Sequence, residues 1–141
     1  MPEEKGKQRF CLTTPIYYVN ARPHLGTAYT TVIADIIARF KRMSGHDVLL
    51  VTGSDENSQK IVQAARDAGK EPLAFCDEIV EAYHAAWKML HIGPYEFVRT
   101  TEPRHKKMVQ HFFQRLYDSG HVYKGEYTGW YCTPCETFYT E

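Results

Sequence analysis

The sequence carries no excess of either charge: 17 basic side chains are matched by 17 acidic ones. Surfaces that hold a polyanion usually show a basic surplus, because neutralising phosphates drives that binding. A nucleic-acid partner would have to find most of its grip elsewhere. No apolar run approaches the roughly 20 residues that a membrane-spanning helix needs. Met1 to Arg9 is short and charged, without the apolar centre of a secretory signal, and reads as a flexible terminus. Internal repeats and low-complexity tracts are missing too. Cysteines number only four, Cys11, Cys76, Cys132 and Cys135, and their spacing makes no disulfide framework. Cys11 and Cys76 sit singly in apolar segments and read as small core residues. The set suits a reducing, cytoplasmic setting. The 141 residues suffice for one domain with a real core and little beyond it.

What is present is periodicity. Phe10 to Thr14 reads as a strand stopped by Pro15, and Ile16 to Pro23 as a loop with Asn20 and Pro23 as turn formers. From Leu25 the period becomes helical. Tyr29, Val32, Ile33, Ile36, Ile37, Phe40 and Met43 share one face, which is expected to be buried, while Asp35, Arg39 and Lys41 fall away from it. Gly45 is the expected stop. Asp47 to Thr52 follows as a second strand, too continuously apolar at Val48–Val51 for one exposed face, which suits a parallel strand covered on both sides. Strand, loop, helix and strand make a βαβ unit of the nucleotide-binding kind. The remainder reads as helical: Glu56 to Ala68, then Pro72 to Leu90 burying Cys76, Ile79, Val80, Tyr83, Trp87 and Leu90. A fourth helix, capped by Thr101, carries Val109, Phe112, Phe113, Leu116 and Tyr117. From Val122 aromatics and glycines alternate, as in strands or a ribbon.

The first chemical constellation is Pro23-His24-Leu25-Gly26-Thr27, where the first strand hands over to the long helix. Helix amino termini present unpaired N–H groups that attract phosphate. Gly26 would allow close approach of a nucleotide, and His24 can donate to phosphate oxygens. On these residues alone a capping histidine followed by a packing glycine is the better reading, since a histidine-x-glycine triplet is common by chance. Cys132-Thr133-Pro134-Cys135 is the second constellation. Two thiolates at this spacing in a tight turn look like half of a zinc knuckle, since structural zinc takes four ligands. A redox pair would be expected at a helix start, and a pair of idle thiols is the third reading. Arg104-His105-Lys106-Lys107 reads as a solvated helix face, and Tyr127, Trp130 and Tyr131 as a packed aromatic cluster. His84, His91, His111 and His121 have no ligand-like spacing.

Longer stretches speak more specifically. Thr13-Thr14-Pro15-Ile16-Tyr17-Tyr18-Val19-Asn20-Ala21-Arg22-Pro23-His24-Leu25-Gly26 resembles, almost residue for residue, the opening of bacterial-type methionyl-tRNA synthetases. There it ends in the "HIGH" signature of class I aminoacyl-tRNA synthetases. Val51-Thr52-Gly53-Ser54-Asp55-Glu56, Phe97-Val98-Arg99-Thr100-Thr101-Glu102, Gly129-Trp130-Tyr131-Cys132 and Cys135-Glu136-Thr137-Phe138-Tyr139-Thr140-Glu141 match the same family in order. The resemblance implies that His24, Gly26 and Thr27 bind ATP with its magnesium, with His24 and Thr27 in the catalytic role. It implies further that Ile16 and Tyr18 line the methionine pocket and that Asp55 takes the methionine ammonium. For Asp55 the plain alternative is an N-cap of the following helix. Cys132 and Cys135 would be two of the zinc ligands. Two departures stand out. Thr27 replaces the second histidine of the signature and cannot carry positive charge, and Asn57-Ser58 replaces a histidine-glycine pair.

The expected architecture is thus an α/β, Rossmann-like parallel nucleotide-binding fold leading into an inserted connective, zinc-knuckle domain that stops short. Residues 1–9 form the flexible terminus, residues 10–121 the first half of the catalytic domain, and residues 122–141 the start of the insertion. By resemblance, the complete enzyme joins methionine to tRNA(Met) with ATP. The lysine-methionine-serine-lysine-serine signature is missing; Lys41-Arg42-Met43-Ser44 is only superficially similar and is expected to pack toward the core. The chain alone is therefore expected to have little or no aminoacylation activity. Two other readings stay open: a small nucleotidyltransferase with a related histidine-glycine loop, and a non-catalytic fragment or split subunit completed by a second chain.

Overall fold

The computed structural model describes residues 7–132 and 134–139, so most of the expected flexible terminus, Thr133 and the last two residues lie outside it. The chain opens with β1 (Arg9–Thr13), the two-residue β2 (Tyr17–Tyr18), α1 (Leu25–Met43) and β3 (Asp47–Asp55). β3 is the spine of the sheet. β1 pairs with its first half, Arg9 opposite Asp47 through Thr13 opposite Val51. β2 continues along the same edge, Tyr17 opposite Ser54 and Tyr18 opposite Asp55. The other edge carries β4 (Glu96–Arg99), from Val51 opposite Glu96 to Ser54 opposite Arg99. Every pair is parallel, as the βαβ pattern required. α2 (Gln59–Asp67) and α3 (Pro72–Met89) connect β3 to β4, and α4 (Pro103–Asp118) follows. An antiparallel hairpin, β5 (Trp130–Cys132) and β6 (Thr137–Tyr139), comes last.

β4 lies between the third and fourth expected helices, where no element was expected. Four residues with charged ends show no usable period, and only the free edge of β3 makes them a strand. The close approach of the two strands requires Gly53: a Cβ there would lie 2.1 Å from the Val98 carbonyl oxygen. Gly45 ends α1 at φ 86°, the left-handed conformation expected of it.

The long helix faces the opposite way from the expectation. α1 buries Thr27, Thr31, Ala34, Asp35 and Ala38, while Tyr29 is 67% exposed, Ile36 60%, Phe40 63% and Met43 87%. Small residues also recur at helical spacing, and they allow the helix to lie close against Leu50, Leu12 and Val48 of the sheet. The large residues face outward, so Lys41–Ser44 is not packed toward the core. Asp35 and Arg39, placed in solvent by the sequence reading, instead fasten the α3–β4 connection. Asp35 Oδ1 accepts the Gly93 N–H at 2.8 Å, Arg39 Nε donates to Asp35 Oδ2 at 2.7 Å, and Arg42 donates to the Pro94 carbonyl at 2.9 Å.

The main core lies under α3, which buries Phe75, Cys76, Ile79, Val80, Tyr83 and Trp87 against Ile61, Ala65, Tyr17 and Val19. Leu90 does not join them and is 43% exposed, because it already forms the carboxyl cap of α3. Cys76 is buried as expected, but Cys11 is exposed. Cys11 and its register partner Leu49 lie on a part of the sheet that the described residues leave uncovered, so β3 is covered on both faces only in its second half. α4 buries none of its residues; Phe112, Phe113 and Tyr117 are all more than half exposed. Glu102, not Thr101, stands at its amino-terminal cap. Residues 122–129 form no strand.

Candidate active site

Packing of Tyr17 sets the site. Its ring stacks on Tyr83 at 5.8 Å and meets Trp87 edge-on at 6.2 Å, and its hydroxyl lies 2.9 Å from Thr31 Oγ1. Neighbouring side chains in an extended segment point to opposite sides. With Tyr17 buried, Ile16 and Tyr18 must face out, and they are 47% and 42% exposed.

At the start of α1, His24 is extended, with φ −123° and ψ 176°. Its Nδ1 accepts the Gly26 N–H at 3.0 Å. Thr27 Oγ1 accepts the His24 N–H at 3.1 Å and donates to the His24 carbonyl at 2.8 Å. This is a reciprocal capping box built from histidine and threonine. A Cβ on Gly26 would meet the His24 ring at 2.9 Å, so Gly26 makes room for the imidazole. The capping reading is therefore realised, and it has a chemical consequence. With Nδ1 accepting, the neutral ring carries its proton on Nε2, exposed and without a partner among the described residues. Thr27 spends its hydroxyl on the His24 backbone and serves by fixing the residue that carries the ring.

A hollow of about 310 Å³ brings these residues together: Ile16, Tyr18, His24 and Thr27 line it with Asn20 and Arg22. Asp55 is the register partner of Tyr18 and lines a second hollow with Asn57, Thr101 and His105. Asp55 Oδ1 accepts the Asn57 N–H at 3.1 Å. The cap of α2 is Ser58, accepting from the Ile61 N–H at 3.4 Å, so the capping alternative for Asp55 fails.

Behind Asp55 stands a network the sequence reading assigned no role. The Glu56 side chain is fully buried and accepts from Ser54 Oγ at 2.6 Å, Arg99 Nε at 2.6 Å and Thr101 Oγ1. Arg99 also pairs with Asp77 at 2.6 Å. Burial alone would lower the Arg99 guanidinium, but hydrogen bonds to Glu56 and Asp77 outweigh it and hold the group above its usual value. The only sequence signal was that Ser54, Glu56, Arg99 and Thr101 fall inside matched motifs, which Asp77 does not; their meeting across β3, β4 and α3 was not legible.

Cys132 ends β5 half-buried, and Cys135 is exposed in the following turn. Hydrogen bonds from Tyr139 first, then Cys132, pull the Cys135 thiol below its usual value. Among the described residues no group of three or more His, Cys, Asp or Glu is placed to hold a metal ion. The turn also reaches the hollow, since the Tyr18 hydroxyl donates to Glu136 Oε2 at 2.8 Å. That bond, and then the carboxylate's charge, raises the Tyr18 phenol. Of the aromatic cluster, Tyr127 and Tyr131 pack on Phe138 at 5.2 and 4.9 Å, but Trp130 is 77% exposed. Arg104, expected on a solvated face, pairs there with Glu102 at 2.6 Å and with Glu96.

Residues 10–141 match the family model described as tRNA synthetases class I (M). A methionine--tRNA ligase of Thermotoga maritima is 56% identical over 133 residues, covering 94% of this chain and 21% of that protein. One from a Nostoc species is 50% identical over 137 residues, covering 97% and 26%. The chain thus spans about a fifth to a quarter of these relatives. Among solved structures, Mycobacterium tuberculosis methionyl-tRNA synthetase in complex with methionyl-adenylate superposes with TM-score 0.89 at 36% identity, over 95% of this chain and 26% of that one. The family match over all but the first residues, with a parallel sheet and a capped histidine at the start of α1, leads to one conclusion: the chain belongs to the class I tRNA synthetases of the methionyl type.

Proposed function

We propose that the full-length protein activates methionine with ATP and then esterifies tRNA(Met), and that this chain supplies the first half of the active site. The observation that carries the reading is the single hollow in which His24 and Thr27 meet Ile16 and Tyr18, with Asp55 paired to Tyr18. The methionine carboxylate attacks the α-phosphate and pyrophosphate leaves, and a ribose hydroxyl of the tRNA then takes the acyl group from the adenylate, releasing AMP. None of this needs a covalent nucleophile from the protein; its work is positioning and charge stabilisation. His24 donates from Nε2 to the phosphates, Gly26 gives its ring room, and Thr27 locks its backbone. Ile16 and Tyr18 flank the thioether, and Asp55 receives the ammonium through its free carboxylate oxygen. Magnesium accompanies ATP as its counter-ion.

Cys132 and Cys135 would hold zinc, a structural ion that ties the hairpin together; two further donors must come from outside the described residues. In this reading residues 10–121 are the catalytic half and residues 122–141 the start of the connective insertion. The rest of the site comes from downstream in the same polypeptide rather than from a second chain, and the enzyme works in the cytoplasm. No described helix is long and apolar enough to cross a membrane.

Methionine-dependent pyrophosphate exchange tests the reading. In the full-length protein, Asp55→Asn raises the methionine KM about 10- to 100-fold, as loss of a charge-assisted bond predicts, and leaves the ATP KM nearly unchanged. His24→Ala lowers kcat on the order of 100-fold. The 141-residue chain alone gives no exchange. Exchange driven by a different acid would replace this reading with a small nucleotidyltransferase, and robust turnover by the chain alone would overturn the half-site assignment.

A further inference from the structure

Tyr18 belongs to a strand of only two residues, and its half-exposed ring stands at the mouth of the hollow. Among the described residues its hydroxyl has one partner, the carboxylate of Glu136, 118 positions away in the turn between β5 and β6. Lys60 of α2 completes the contact: its ammonium lies 3.9 Å from the same carboxylate oxygen and 5.7 Å from the centre of the Tyr18 ring. Glu136 is held in the left-handed region at φ 51°, a conformation that a side chain with a Cβ adopts at a cost. Its second carboxylate oxygen, Oε1, is buried without a hydrogen-bond partner among the described residues. A left-handed residue is usual where a short hairpin turn re-enters its strand, but the turn by itself does not account for a carboxylate directed at Tyr18 with its other oxygen desolvated.

We infer that Glu136 is a positioning residue: from the cysteine turn it fixes the Tyr18 ring and so sets affinity for the amino-acid substrate without touching it. The inference rests on the placement of Tyr18 in the methionine pocket. Without the acceptor, the phenol of a two-residue strand turns to water and the wall it forms is no longer held. The hairpin is thereby part of the amino-acid site, so that anything which reshapes the cysteine turn is felt at Tyr18.

The test uses the full-length protein labelled with fluorotyrosine, its Tyr18 signal identified by loss in Tyr18→Phe, beside exchange kinetics. Glu136→Ala should move and broaden the Tyr18 fluorine signal and raise the methionine KM about five- to tenfold, the worth of one hydrogen bond to a charged group at the low end. The ATP KM and kcat should stay within about twofold. Glu136→Gln, whose amide oxygen still accepts the phenol, should restore signal and KM even if Glu136→Ala weakens the hairpin. The double variant Glu136→Ala/Tyr18→Phe should cost no more than either alone. An unmoved Tyr18 signal in Glu136→Ala overturns the inference and leaves the proposed reaction standing. A moved signal with the methionine KM unchanged in both Glu136→Ala and Tyr18→Phe removes Tyr18 from the pocket, and this inference with it.

Discussion

At the scale of single residues, burial separates two cysteines that look alike in sequence. Cys76 is 1% exposed and Cys11 is open to solvent. Burial, and then the charge of Glu56, pushes the Cys76 thiol up from 9.0 to about 11. A group whose folded value is raised contributes stability that is complete below its unfolded value and lost as pH climbs through the folded one. Cys76 should therefore destabilise the fold progressively between pH 9 and about 11. Thermal midpoints of the chain and of Cys76→Ala, compared across that window, should converge as pH rises; parallel curves would show that the thiol does not titrate. His24, Gly26 and Thr27 were legible as a helix start because a cap is local chemistry. For Asp55 the residues alone left a helix cap open beside the ammonium role implied by the resemblance, and the Ser58 cap removes the former.

Elements were read well where local sequence decides them and badly where packing does. β1, β3 and α3 lie within a residue or a few of their expected places. α1 has the right limits and the wrong face. Its sheet-facing side is lined by Thr31, Ala34 and Ala38, which permit a close approach that Ile36 or Phe40 would prevent. Ala38→Leu should cost about 1–3 kcal/mol through overpacking, whereas Ile36→Ala should stay within about 0.5 kcal/mol as a surface change. Urea unfolding of the two variants measures both. The reverse order would restore the face expected from hydrophobicity. β4 depends on partnership in the same way: its four residues become a strand because β3 has a free edge and Gly53 lets Val98 come near.

Across the whole molecule, two broad apolar surfaces lack cover among the described residues. One runs over Tyr29, Ile36 and Phe40 of α1, the other over Phe112, Phe113 and Tyr117 of α4. Contiguous surfaces of this kind usually meet another part of a protein, and the relatives are four to five times longer, this chain covering 21–26% of them. The isolated chain should associate as its concentration rises, and Ile36→Glu with Phe40→Glu should weaken that association in sedimentation velocity. A strictly monomeric chain at high concentration would mean that these surfaces are quiet in water.

Sequence alone determined what is short-range: the βαβ order, the helix cap at His24, the all-parallel pairing that follows from it, and the methionyl family through motifs in register. Tertiary structure alone decided which side of α1 lies inward, that Glu56, Arg99 and Asp77 converge behind Asp55, and that Glu136 reaches Tyr18. The physical reason is the range of the forces. Caps, turns and periodicity act over a few residues, while close packing and buried charge pairing join residues far apart in the chain and depend on which surfaces the fold brings face to face.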